Sequence, residues 1–141
     1  MSFHPDEINY WAVLAAGLLT FFIGGLWYTA LFGKQWVNLQ GYGPEKVAEM
    51  RRRRPPPVFF GGMVLCYLVM AWVISLVLTA FPDSSARAGA LFGALVWLGP
   101  VACNAMTAFI SMDKPFALVM IDQGFQLLHL VLMGAILGGW R

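Results

Sequence analysis

The stretch that decides the fold is the last long apolar run, Phe116–Trp140, "FALVMIDQGFQLLHLVLMGAILGGW". It exceeds the roughly 20 residues a helix needs to cross the hydrocarbon core of a bilayer. Yet its first half, Ile121–Leu130, carries Asp122, Gln123, Gln126 and His129. Its Leu, Ile, Phe and Val side chains favour insertion by about 5 kcal/mol in sum, while a central aspartate costs about 3 kcal/mol. Two glutamines and a histidine erode what remains, so the segment is marginal as an isolated span. It should insert stably only with its polar face covered by other helices or by water.

Three further apolar runs extend the reading: about 11–32, 58–81 and 88–110, with the last at 116–140. The chain is 60% apolar and 11% charged, with a mean hydropathy of +0.70, whereas a soluble domain is about a quarter charged. Outer-membrane strands would be short and alternating, and no such pattern appears. The expectation is an all-α, polytopic integral membrane protein: a single domain of four transmembrane helices in a bundle. The first run is not expected to be a cleavable leader, since "MSFHPDEINY" precedes it with Asp6 and Glu7 instead of a basic region. Cys66 and Cys103 both lie within spans; as buried thiols they would act as small hydrophobes, and two cannot build a zinc site.

Basic residues set the orientation. Lys34, Lys46, Arg51, Arg52, Arg53, Arg54 and Lys114 fall on one side, and Arg87 and Arg141 on the other. The N and C termini are therefore expected outside, in the periplasm, with the 33–57 loop in the cytoplasm of a bacterial inner (plasma) membrane, multi-pass. Tyr10, Trp11 and Trp140 would mark the outer interface, and Trp27, Tyr28 and Trp36 the inner one, Lys34 snorkelling beside them. In the loop, "GPEKVAEMRRRRPPP" suggests a short helix starting at Pro44, where the missing N–H costs nothing. Pro55–Pro57 ends it. The arginine run reads as an anchor on anionic lipid headgroups, worth about 1 kcal/mol per basic residue. The alternative, docking of an acidic partner or a nucleic acid, lacks aromatic interleaving, and no nucleic acid partner is assigned.

At about 100° per residue, Asp122, Gln126 and His129 share a narrow arc of the fourth span, with Gln123 apart on the side of Gly134 and Gly138. On the third span Pro100, Asn104, Thr107 and Ser111 recur on one side, and Pro100 releases the carbonyl of Val96. Antiparallel pairing would set Asn104 at the depth of Asp122 and make this the partner face. On the first span Gly17, Thr20, Gly24 and Tyr28 form another small-and-polar stripe. The helix-packing residues are thus Gly17, Gly24, Gly89, Gly93, Gly134 and Gly138, small residues that let backbones approach closely in lipid. Gly89/Gly93 and Gly134/Gly138 also offer surfaces for further packing. An ionisable residue inside a membrane is a functional-site hypothesis by default. Asp122, Gln126, His129, Asn104, Thr107 and Tyr28 are the polar intramembrane stripe, read either as hydrogen-bonded glue or as a proton path.

No Walker loop, HExxH, GxSxG or dinucleotide glycine pattern is present. No catalytic residue, metal site or cofactor is assigned. Small multidrug exporters also have four short helices but rely on a glutamate in the first span, where this chain has no acid.

"GGLWYTALFGKQW", Gly24–Trp36, resembles the first-helix signature of the small bacterial membrane proteins catalogued as domain of unknown function 1761. "VLMGAILGGW", Val131–Trp140, is similar to their closing element. The likeness runs nearly end to end, with the arginine–proline run as a local elaboration. It implies a four-helix integral membrane fold and bacterial origin, and brings no activity with it.

The function expected is a structural or accessory subunit that packs as a homo-oligomer or in a larger membrane complex, with membrane lipids as its surroundings; a third reading, a membrane enzyme, lacks any recognisable nucleophile–base pair. The alternative is a small proton-linked transporter or channel that uses the stripe on the fourth span.

Overall fold

The computed structural model describes residues 3–81 and 85–140. Arg141 and the centre of the 82–87 connection lie outside the described residues. The described chain is all-helical: α1 (Tyr10–Leu26), α2 (Gly33–Gln40), α3 (Pro44–Arg53), α4 (Pro56–Leu78), α5 (Ala86–Val96), α6 (Cys103–Ser111) and α7 (Phe116–Gly139). A π-helical segment, Trp27–Leu31, continues α1, and another, Trp97–Ala102, joins α5 to α6. Four stretches are long and apolar enough to cross a membrane: Tyr10–Leu31, Pro56–Leu78, Ala86–Ser111 and Phe116–Gly139.

Local chemistry sets the boundaries. Asn9 caps α1, its side-chain oxygen accepting from the N–H groups of Trp11 and Ala12. Ser85 caps α5 in the same way through the N–H of Ala88. Such caps satisfy backbone donors that have no partner inside the helix. Prolines open α3 and α4, where a missing N–H is harmless. Gly41 ends α2 at φ 70°, a left-handed backbone that glycine adopts without steric cost. The 33–57 loop therefore holds two helices, α2 and α3. Sequence reasoning marked only the second, because α2 has no proline or cap at its start and opens directly from the π segment.

α7 is the hub. Its C-terminal half packs with α1 and α4 in a core formed by Ala12, Val13 and Ala16, by Ala71, Ile74 and Leu78, and by Leu130, Met133 and Leu137. Ile8 closes this core, and the N–H of His4 reaches the Thr79 hydroxyl at 3.0 Å, tying the N-terminal segment to the end of α4. The other flank of α7 carries α5 through glycine on both sides. A Cβ on Gly89 would overlap the carbonyl oxygen of Gly134, and one on Gly93 would overlap that of Leu130. Backbone contact of this kind is how small residues hold helices together in lipid. Gly17 is likewise closed by Leu68 of α4, and Gly24 by Phe125.

Two expectations are corrected. Gly89/Gly93 and Gly134/Gly138 were also read as surfaces for further packing, but they cover each other within the chain. Cys66 and Cys103 lie on exposed faces, not in the core. The docking of α5 on α7 accounts for the glycines and for Cys103, because the third span turns its other side outward, with only 6% of it buried; Cys66 stands on the outward face of α4.

Candidate functional site: an aromatic clamp on the last span

Asp122 sits one and a half turns into α7, at the level where α1 gives way to its π segment. Two side chains donate hydrogen bonds to the same carboxylate oxygen: the Tyr28 hydroxyl at 2.9 Å and the Trp36 indole N–H, also at 2.9 Å. Tyr28 comes from the π segment and Trp36 from α2, so one carboxylate ties the first span, the loop and the last span together.

Two more tryptophans clasp the same turn. Trp27 donates its indole N–H to the Ile121 carbonyl oxygen at 3.1 Å, and Trp97 does so to the Gln123 carbonyl oxygen at 3.1 Å. Each is the first residue of a π segment. A π segment inserts a residue and rotates the downstream side chains around the helix axis, and such bulges concentrate at functional sites. Here each segment begins at the tryptophan whose indole meets residues 121–123. Gly24 and Gly124 leave the room: added Cβ atoms would stand 3.1 Å from the Phe125 ring and 3.2 Å from the Trp27 ring. Gly33 lets α2 begin against the Tyr28 carbonyl oxygen, where a Cβ would lie 2.7 Å away.

His129 is fully buried, and its Nε2 pairs with the Gln126 side-chain oxygen at 2.8 Å. Phe125 lies between this pair and the carboxylate. Its ring centroid is 4.8 Å from that of His129, 5.3 Å from Tyr28 and 6.4 Å from Tyr67. The polar stripe on α7 is thus split by an apolar ring into Asp122 with its two donors and the Gln126–His129 pair. Two buried atoms have no hydrogen-bond partner among the described residues, His129 Nδ1 and Gln123 Oε1.

The third span was read as the partner face for Asp122. In the structure Asn104 and Thr107 are exposed instead. The Thr107 hydroxyl donates to the Asn104 carbonyl and the Ser111 hydroxyl to the Thr107 carbonyl, all within α6. The π segment around Pro100 is the reason: it turns this stripe away from α7, and the Cys103 thiol takes up the exposed Leu98 carbonyl at 3.4 Å. Of the stripe residues, Tyr28, Asp122, Gln126 and His129 come together, and Asn104 and Thr107 do not join them.

Trp36, Trp27 and Trp97 are the site residues that sequence reasoning missed. The first two were read as an interfacial belt, and Trp97 was not singled out. The available signal was their shared register, a tryptophan placed to meet the one turn of the last span that holds an acid. Arg51, Arg52, Arg53 and Arg54 are all exposed at the end of α3 and immediately before α4. Among the described residues no group of three or more His, Cys, Asp or Glu side chains could hold a metal ion.

The clamp is built largely from Gly24–Trp36 closing on Ile121–Phe125, and the chain that carries it is covered almost whole by one family. Residues 11–138 match the family described as Protein of unknown function (DUF1761), and the chain belongs to it. No curated protein and no solved structure matches the chain.

Proposed function

We propose that this family member is a structural or accessory subunit of the bacterial inner membrane that assembles side by side with further helices, either its own copies or a larger complex. The observation that carries the reading is the engagement of Asp122. It is the one acid inside the four spans, and its carboxylate is taken by two donors of the same chain. An intramembrane acid poised for transport needs exchange with water or substrate. One clamped by an indole and a phenol, with Phe125 closing the way to His129, works as a fastener. Intramembrane hydrogen bonds average about 0.6 kcal/mol, and the four donors around residues 121–123 act together.

Lateral assembly is supported by the third span. The Asn104 amide has no hydrogen-bond partner among the described residues, yet it stands on a helix of membrane-spanning length beside exposed Thr107 and Ser111. Polar side chains at such positions bond across helices. The excess of Lys and Arg in the 33–57 loop supports placing that loop in the cytoplasm and both termini outside. The test is chemical cross-linking through the exposed Cys103 in native membranes, alongside native mass spectrometry of the purified protein. Cross-linked species that disappear in Asn104→Leu support the proposal. A protein that runs alone in both experiments overturns it.

A second reading, proton-linked transport, is favoured by one observation: the buried, unpartnered His129 Nδ1 and Gln123 Oε1. Buried polar atoms of this kind are where internal water binds. Proton flux into dye-loaded liposomes, lost in His129→Gln while assembly is preserved, would select this reading over the first. Asp122→Asn separates them from the other side, since a fastener loses stability and a conductor loses flux.

A further inference from the structure

Two cavities meet on the loop side of the bundle. One, of about 610 Å³, lies between α2 and α3, with Val37, Tyr42, Val47 and Ala48 on its walls and Arg51 and Arg52 at its edge. The other, of about 500 Å³, runs from Tyr28 and Thr29 along α2 past Lys34. Val37 and Asn38 line both, so the two form one groove along a single face of α2.

The charges around this groove are not equivalent. Arg53 and Lys46 both pair with Glu49. Among the described residues Arg51, Arg52 and Lys34 have no carboxylate partner. Arg54 is likewise unpaired but does not line the cavity, so Arg51 and Arg52 are the two arginines that are both uncompensated and at its edge, while Arg53 is paired with Glu49. The groove also has a fixed depth. α2 follows directly on the first span, and Arg51 and Arg52 stand within about one helical turn of Pro56, the first residue of the second. Its walls are apolar, its rim is cationic, and it opens at the level of lipid headgroups.

We propose that this groove holds a single anionic phospholipid, its phosphate on the guanidinium groups of Arg51 and Arg52 and its glycerol and upper acyl chain along Val37, Val47 and Ala48. Guanidinium is the side chain whose planar fork matches phosphate oxygens two at a time. An acidic protein segment would meet the same cations, but apolar walls beside a membrane favour an amphiphile. A diffuse headgroup attraction treats the four arginines alike, whereas a seated lipid does not.

That difference is the test. The full chain is reconstituted in phosphatidylglycerol–phosphatidylcholine nanodiscs, extracted gently, and its retained phosphatidylglycerol is counted by native mass spectrometry. R51Q/R52Q and R53Q/R54Q remove the same formal charge. R51Q/R52Q is expected to lower retention about thirty-fold, two residues each worth about a fivefold factor. R53Q/R54Q is expected to change it less than about threefold, since Arg53 is already paired with Glu49 and Arg54 does not line the groove. Ala48→Trp, which keeps every charge but fills the wall, is expected to lower retention like R51Q/R52Q. Circular dichroism checks that each variant is folded, which the exposure of α3 favours. Equal losses from the two double variants would overturn the proposal in favour of diffuse attraction. Unchanged retention in Ala48→Trp, or displacement of the lipid by free glycerol phosphate or an acidic peptide at equal concentration, would overturn it too, because the apolar wall would then be irrelevant.

Discussion

Towards its C-terminal end α7 lies against α5 with glycines facing on both helices, so the contact is backbone on backbone and admits no extra carbon. Three turns earlier the same helix is gripped by large aromatic side chains, and the contacts are hydrogen bonds from Trp27, Tyr28, Trp36 and Trp97. In lipid, apolar area gives helices little reason to associate, because the tails are as apolar as leucine. What remains is close approach and polar satisfaction, and α7 uses one at each end. The glycine end tolerates no added volume but has no polar group to disappoint. The clamp end has room to adjust but leaves costly orphans when a partner is removed.

The comparison breaks first, and most, at the glycines. Gly89→Val should destabilise the bundle by about 3–5 kcal/mol, in the range of severe overpacking against a rigid neighbour. It should be read as a loss of cooperative unfolding in detergent monitored by circular dichroism. Gly62→Ala serves as the control: nothing stands within 4 Å of a Cβ there, and the change should stay within about 0.5 kcal/mol. If both glycines behave alike, close approach is not what joins α5 to α7.

Asp122 comes next. Asp122→Ala leaves the Tyr28 hydroxyl and the Trp36 indole without their acceptor, at about 2–3 kcal/mol in the same unfolding assay. Asp122→Asn keeps a carbonyl oxygen in place and should cost roughly half of that. An Asn variant as damaged as the Ala variant would mean that charge, not hydrogen bonding, is what the clamp requires. Trp36→Phe should cost about 1 kcal/mol, since Tyr28 still satisfies the carboxylate. Tyr28→Phe combined with Trp36→Phe should cost more than the sum of the two, because both donors share one oxygen.

The two ends also differ in how far they can be read from sequence. Gly89/Gly93 and Gly134/Gly138 recur at four-residue spacing, so their role in packing shows in one dimension; that they face each other and not another molecule does not. At the clamp, Asp122, Gln126 and His129 are legible as one face of one helix because helical periodicity alone puts them there. Their partners are not. Tyr28 sat on a recognisable stripe, but Trp36 lies beyond the end of its span, on a separate helix. The π segments shift the register that a simple 100° count assumes, which is also why Asn104 and Thr107, in phase on paper, turn away from Asp122.

The smallest effect separates the two kinds of hydrogen bond within the clamp itself. Trp27 and Trp97 donate to carbonyl oxygens of a continuous helix, groups that already serve the helix's own bonding. Trp97→Phe therefore removes a contact without leaving an orphaned acceptor, and its ring keeps most of the apolar volume. Its cost should be near the intramembrane average of about 0.6 kcal/mol, well below that of Asp122→Ala. Hydrogen exchange at residues 121–127 is the sharper measurement, because a lost indole bond should loosen that turn locally while global stability barely moves. Should Trp97→Phe instead unfold the bundle as readily as Asp122→Ala, the four donors form one cooperative unit, and the distinction between orphaned and spared acceptors does not hold in this membrane interior.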